Sequence, residues 1–120
     1  MTTTTTFDTA ALKRAIEERD AAAQTAMFAD DAEFILVDKA NTPSKPQRLQ
    51  GRAAIGEVLE DIFGRDMTHE VTGLVADGDK VGYTINCSYP DGSRVMCMAS
   101  LELRDGQIVK QTGLQAWDEG

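Results

Sequence analysis

Apolar and polar residues alternate with period 2 over most of the second half of the chain, from Thr68 to Trp117. Thr68–Asp77 alternates, and Gly78 breaks it. Lys80–Tyr89 alternates cleanly, with Val81, Tyr83, Ile85, Cys87 and Tyr89 on one face. Pro90, Asp91 and Gly92 turn the chain. Arg94–Arg104 alternates again, Asp105 and Gly106 make the next turn, and Ile108–Trp117 closes the set. Alternation punctuated by Asp-Gly turns predicts hairpins, here a meander of four antiparallel strands. The apolar face of such a sheet needs a cover, which only the N-terminal half can supply.

That half changes period. Asp8 is placed to cap a helix, with Phe7 stapled to Leu12 and an inward stripe of Leu12, Ala15 and Ile16. Asp20 is placed to cap a second short helix over Ala21–Phe28, with Ala22, Ala23, Ala26 and Met27 facing inward and Asp30-Asp31 ending it. Glu33–Val37 reads as a short strand. Asp38–Gln50 holds Pro43 and Pro46 and predicts an irregular crossover, long enough to border a binding site. Gly51–Arg65 is the clearest helix: Ile55, Val58, Leu59, Ile62 and Phe63 recur at helical spacing and Gly64 supplies the stop. Helices first and strands last predict an α+β fold, with helices packed on one face of a curved antiparallel sheet. The low-complexity Thr2–Thr6 predicts a disordered tail over residues 1–6, leaving one domain over 7–120.

Charge narrows the partners. The formal net charge is −8, from 12 Lys and Arg against 20 Asp and Glu. A chain this acidic is repelled by phosphate backbones and anionic membranes, so neither nucleic acid nor membrane is expected. No apolar run approaches the roughly 18 residues of a membrane helix, and the threonine-rich start lacks a signal peptide's basic and apolar regions, which predicts a cytoplasmic protein. The two cysteines, Cys87 and Cys97, are expected as free thiols. Adjacent carboxylates such as Asp30-Asp31 cap and turn more often than they bind cations, and no second oxygen cluster accompanies them, so no metal or cofactor is expected.

Three stretches carry a resemblance to a known family. Phe28-Ala-Asp-Asp-Ala32 precedes the expected first strand, Gly51-Arg-Ala-Ala-Ile55 opens the long helix, and Asp105-Gly-Gln-Ile108 makes the last hairpin, followed by Trp117-Asp118. In this order and spacing the chain resembles the SnoaL-like group of the nuclear-transport-factor-2 superfamily, from about Leu12 to Trp117. The resemblance implies a cone, a strongly bent sheet wrapped around a long helix with a pocket at its open end. Members include polyketide cyclases, ketosteroid isomerases, epoxide hydrolases, dehydratases and proteins that only bind ligands or assemble. The fold therefore leaves function to the pocket residues.

Isomerase chemistry of this kind needs a carboxylate base and a donor for the oxyanion. Carried over from the matched motifs, the base falls on Leu36, the donor near Leu12 and the acidic partner on Ala99 or Ser100. None is a carboxylate, so the isomerase pattern is not met. Glu102 and Arg94 take the outward parity of their strand. The remaining acid–base candidates are Asp38, at the end of the first strand, and His69, the sole histidine. Tyr83, Cys87, Val95, Cys97, Gln111, Gln115 and Trp117 share the inward parity, with Phe34 and Leu36 from the first strand and Leu59 and Phe63 from the helix. Together they predict a pocket for a small apolar or aromatic molecule. Met96 and Met98 fall on the opposite face, which predicts a homodimer through the outer sheet, as the resemblance also implies. Two functions follow: an apolar binding pocket with a cofactor-free isomerase, cyclase or lyase step open to it, or a non-catalytic dimerising module.

Overall fold

The computed structural model describes residues 7–118, so the expected tail over residues 1–6 lies outside the described residues. Helix α1 runs Thr9–Glu17, and the Asp8 carboxylate accepts a hydrogen bond from the Ala11 N–H at 2.9 Å, as a capping side chain does. Leu12, Ala15 and Ile16 are buried, and Phe7 joins Leu12 in the core. Helix α2 is a short piece, Ala21–Thr25, capped by Asp20. Its buried residue is Gln24, whereas Ala22 and Ala26 face outward. The expected alanine stripe fails for a physical reason: near-identical small side chains give a helix too little amphipathicity to choose its buried face.

Strand β1 spans Phe28–Val37, so it begins well before the expected Glu33. It runs parallel to the last strand, and the register shifts between the pairs Phe28↔Ile108 and Glu33↔Lys110. Asp30 and Asp31 bulge outward there, while Phe28, Ala29 and Ala32 stay buried. Asp30 pairs with Arg52 and Asp31 with Arg104, so these carboxylates ornament a strand rather than end a helix. The crossover is also more ordered than expected. Its last residues, Gln47–Gln50, form a short edge strand β2 antiparallel to β1. Helix α3 is Arg52–Phe63, with Ile55 and Leu59 buried. Gly51 precedes it at φ +97°, and its N–H donates to the Ala32 carbonyl at 2.7 Å, tying helix to strand.

The meander forms as patterned: β3 Thr68–Asp77, β4 Lys80–Ser88, β5 Arg94–Arg104 and β6 Gln107–Asp118. The six strands lie in the order β2-β1-β6-β5-β4-β3. The sheet is mixed rather than wholly antiparallel, because β1 and β6 are parallel. It is the bent sheet of the expected cone, with the helices packed on its inner face. Val81, Tyr83 and Cys87 of β4 and Val95, Leu101 and Leu103 of β5 are buried there. Strict alternation along β3 would place Val75 on the face of His69 and Val71, yet it is 67% exposed. An extra residue in β3 between Thr72 and Val75 causes this, with Gly73 at φ +62°: a bulge reverses the parity of everything beyond it. Among the described residues no helix is long and apolar enough to cross a membrane.

Candidate functional site

Between the helices and the inner face of the sheet lies a cavity of about 90 Å³. An apolar cavity of about 150 Å³ accepts benzene, so this one has room for a group of roughly four to six heavy atoms. All of Phe34, Leu36, Leu59, Phe63, Tyr83, Cys87, Cys97, Gln111, Gln115 and Trp117 line it, and so does His69. Gln24 of α2, Ile16 of α1, and Arg65 and Met67 of the α3–β3 connection also line it. Sequence reasoning did not place these in the pocket, nor Ala99, Gly113 and Leu114, and Met98, expected on the opposite face, also contributes to the lining. Gln24 lies among alanines, and nothing in the pattern turns it inward.

The cavity wall is apolar except for a few placed groups. The Gln111 Nε2 donates to the Tyr83 hydroxyl at 3.3 Å, cross-linking β6 to β4 inside the core. Burial pushes the Tyr83 phenol well above its ordinary pKa, against the opposing Gln111 hydrogen bond, so Tyr83 is a neutral O–H donor. Three buried side-chain atoms on this wall have no hydrogen-bond partner: Gln24 Oε1, Gln111 Oε1 and His69 Nε2. Unpaired buried polar groups are rare in folded proteins and costly to keep.

His69 is buried at 9% exposure and sits edge-on to Phe63, ring centroids 5.3 Å apart. Its Nδ1 lies 3.1 Å from the Cys87 sulfur. Cys87 and Cys97 are both free thiols, on neighbouring strands and the same inward parity. The Cys97 side chain hydrogen-bonds Cys87 and holds the Cys87 pKa well below the ordinary thiol range, with burial opposing and His69 adding to the effect. The same contact, with burial, pushes Cys97 upward.

Asp38 is elsewhere. Its carboxylate accepts from the Ala40 N–H at 2.9 Å, the Asn41 N–H at 2.7 Å and the Asn41 amide at 3.0 Å, and it does not line the cavity. Burial raises its pKa, but the hydrogen bonds from Asn41 and Ala40 outweigh that and leave it below the ordinary carboxylate value. The structure therefore does not bring Asp38 and His69 together; the carboxylate folds its own loop, as aspartates do in Asx turns. No Asp or Glu stands among the lining residues. The more exposed part of the lining forms a connected rim. Arg65 reaches the Tyr89 hydroxyl at 3.5 Å, Tyr89 stacks on Trp117 at 6.1 Å, and the Trp117 N–H donates to Gln115 at 3.1 Å. Lys39 lies over the Trp117 ring at 4.6 Å. Among the described residues no cluster of His, Cys, Asp and Glu is placed to hold a metal.

This cone, with its pocket under the helices, is the frame of one family. The SnoaL-like domain model matches residues 9–111, and the chain belongs to that family. No curated protein matches the chain. Among solved structures, one from Kribbella flavida, provisionally assigned as a ketosteroid isomerase, is similar at 24% identity and TM-score 0.74, covering 93% of this chain and 76% of that one. An NTF2-like protein of unknown function from Mesorhizobium loti is similar at 19% identity and TM-score 0.75, covering 88% and 84%. The epoxide hydrolase/cyclase-like enzyme SalBIII, of pyran ring formation in the polyether salinomycin, is similar at 22% identity and TM-score 0.69, covering 90% and 87%. At these identities the likeness is one of fold.

Proposed function

We propose that this protein binds a small, mostly apolar molecule in its cone, and that the molecule carries both a hydroxyl and a carbonyl or similar acceptor. The observation that carries this reading is the set of unpartnered polar atoms, Gln24 Oε1, Gln111 Oε1 and His69 Nε2, on the wall of one apolar cavity. The two amide oxygens call for a donor on the ligand. The Tyr83 hydroxyl, which keeps its proton, calls for an acceptor. A site built this way rejects an analogue lacking the matching polar group, because its own groups then stay unpaired. An isomerase, cyclase or lyase step driven by a carboxylate is disfavoured, since no carboxylate lines the cavity. Proton transfer on a bound molecule falls to His69.

The test is a matched pair of probes. Acetoin, a hydroxyketone, is expected to bind about tenfold more tightly than butanone, which lacks the hydroxyl, a difference of about 1.4 kcal/mol. Equal affinities, or binding by neither, would contradict the reading.

A second reading draws on the outer sheet face. Met96, Met98 and Leu114 are each about half exposed, and Met98 and Leu114 are direct cross-strand partners. We propose that a second copy of the chain covers this patch. Sedimentation is expected to give a dimer that M98K/L114K converts to a monomer; a wild-type monomer would contradict it.

A further inference from the structure

We propose that Cys87 is a nucleophile for electrophilic small molecules that enter the cone, above all α,β-unsaturated carbonyl compounds. The proposal rests on the binding reading above and names a substrate class for the same cavity. Three observations support it. First, His69 and Cys87 are direct cross-strand partners, so the backbone itself holds Nδ1 at 3.1 Å from the sulfur. Second, the ring's other nitrogen, Nε2, is buried on the cavity wall with no partner. Third, Cys87 itself lines the cavity, so a molecule held there meets its sulfur. The titratable groups facing Cys87 are His69 from β3, Cys97 from β5 and Tyr89 just past β4; Ile62, Met67 and Val95 complete the shell with apolar surface. No carboxylate stands there to oppose a thiolate.

The step balances without an oxidant or reductant. The Cys87 S–H proton passes to His69 Nδ1. The sulfur lone pair forms a C–S bond to the β-carbon of the enone, and the C=C π pair moves into an enolate. The enolate oxygen accepts a hydrogen bond from the Nε2–H of the imidazolium or from the Tyr83 hydroxyl. The α-carbon then takes one proton from the imidazolium, which returns to neutral imidazole. One S–H and one C=C bond are consumed, and one C–S and one C–H bond form.

Exposure alone predicts the opposite selectivity, since Cys97 is the more accessible thiol and Cys87 is only 4% exposed. The experiment uses the reduced full chain with methyl vinyl ketone, followed by mass spectrometry with peptide mapping. A single adduct on Cys87 is expected, formed at least about tenfold faster than on Cys97 or on glutathione near neutral pH. C87S abolishes the adduct. H69N slows it at least about tenfold near neutral pH and little in alkali, where the thiol ionises unaided. Ultraviolet thiolate absorbance of the wild-type protein against C87S supplies a reading that needs no His69 variant: a band absent from C87S and lost at a lower pH than for a free thiol supports the proposal, and a Cys87 band lost at the pH of a free thiol contradicts it. Modification of Cys97 in preference to Cys87, or reaction of Cys87 at the rate of glutathione, would overturn it. Absence of an adduct while acetoin still binds overturns this proposal alone; absence of both removes the binding reading as well.

Discussion

His69 on β3 and Cys87 on β4 face each other across the sheet as a direct pair, with Nδ1 and Sγ 3.1 Å apart inside the core. The contact fixes which ring nitrogen is engaged and leaves Nε2 for the cavity. A buried imidazole with one satisfied nitrogen is tolerable; one with none is expensive. Cys87→Val is therefore expected to cost about 1–3 kcal/mol more than Cys97→Val, because it strips His69 of its partner as well as removing a thiol. Urea unfolding of the two variants measures the difference.

Gln24 and Gln111 each leave an amide oxygen unpaired on the cavity wall, but only Gln111 has a partner to lose. Gln24→Met is expected to stabilise the ligand-free protein by about 1 kcal/mol, by removing a buried unsatisfied group. The same substitution weakens acetoin binding about tenfold. Gln111→Met is expected to destabilise, since it strands the Tyr83 hydroxyl. Thermal unfolding with and without acetoin gives both signs.

The Tyr83 phenol has a folded pKa raised above its unfolded value of about 10. The unfolded chain thus loses the proton first. The Tyr83 contribution to stability is complete below about pH 10 and is lost as pH rises from there through the folded pKa. Wild-type stability is expected to fall relative to Tyr83→Phe by about 1.4 kcal/mol per pH unit above pH 10. Parallel alkaline unfolding curves for the two proteins would contradict the burial assigned to Tyr83.

Asp38 holds the turn after β1 through three hydrogen bonds from Ala40 and Asn41. Asp38→Ala is expected to cost about 0.5–1.5 kcal/mol and to leave acetoin affinity unchanged. Its lowered pKa means that this stabilisation is present above about pH 4 and is lost as pH falls through the folded value. A loss of binding in Asp38→Ala at preserved stability would return this carboxylate to the site.

Much of this was legible in the sequence, for a reason visible in β4. Val81, Tyr83, Ile85 and Cys87 keep strict alternation, and no register shift interrupts the pairing of β4 with β5. Parity alone therefore placed their side chains, and those of Cys97, Gln111, Gln115 and Trp117, on the inner face. Parity failed at irregularities. The Gly73 bulge sent Val75 outward, and the Asp30-Asp31 bulge hid the start of β1. Gln24 was illegible because a glutamine among alanines carries no face signal. The His69–Cys87 contact was hidden too, since strand register across a turn depends on backbone hydrogen bonds that alternation does not specify.

The central claim is that the polar atoms on the cavity wall bind a small hydroxylated, carbonyl-bearing molecule. Side-chain nitrogen NMR of Gln24, Gln111 and His69 during an acetoin titration tests it most directly. Saturable shifts in all three side chains at one shared dissociation constant, much smaller with butanone and abolished by Gln24→Met, are predicted. Shifts confined to the Tyr89–Trp117 rim, or none at any of the three, would contradict it.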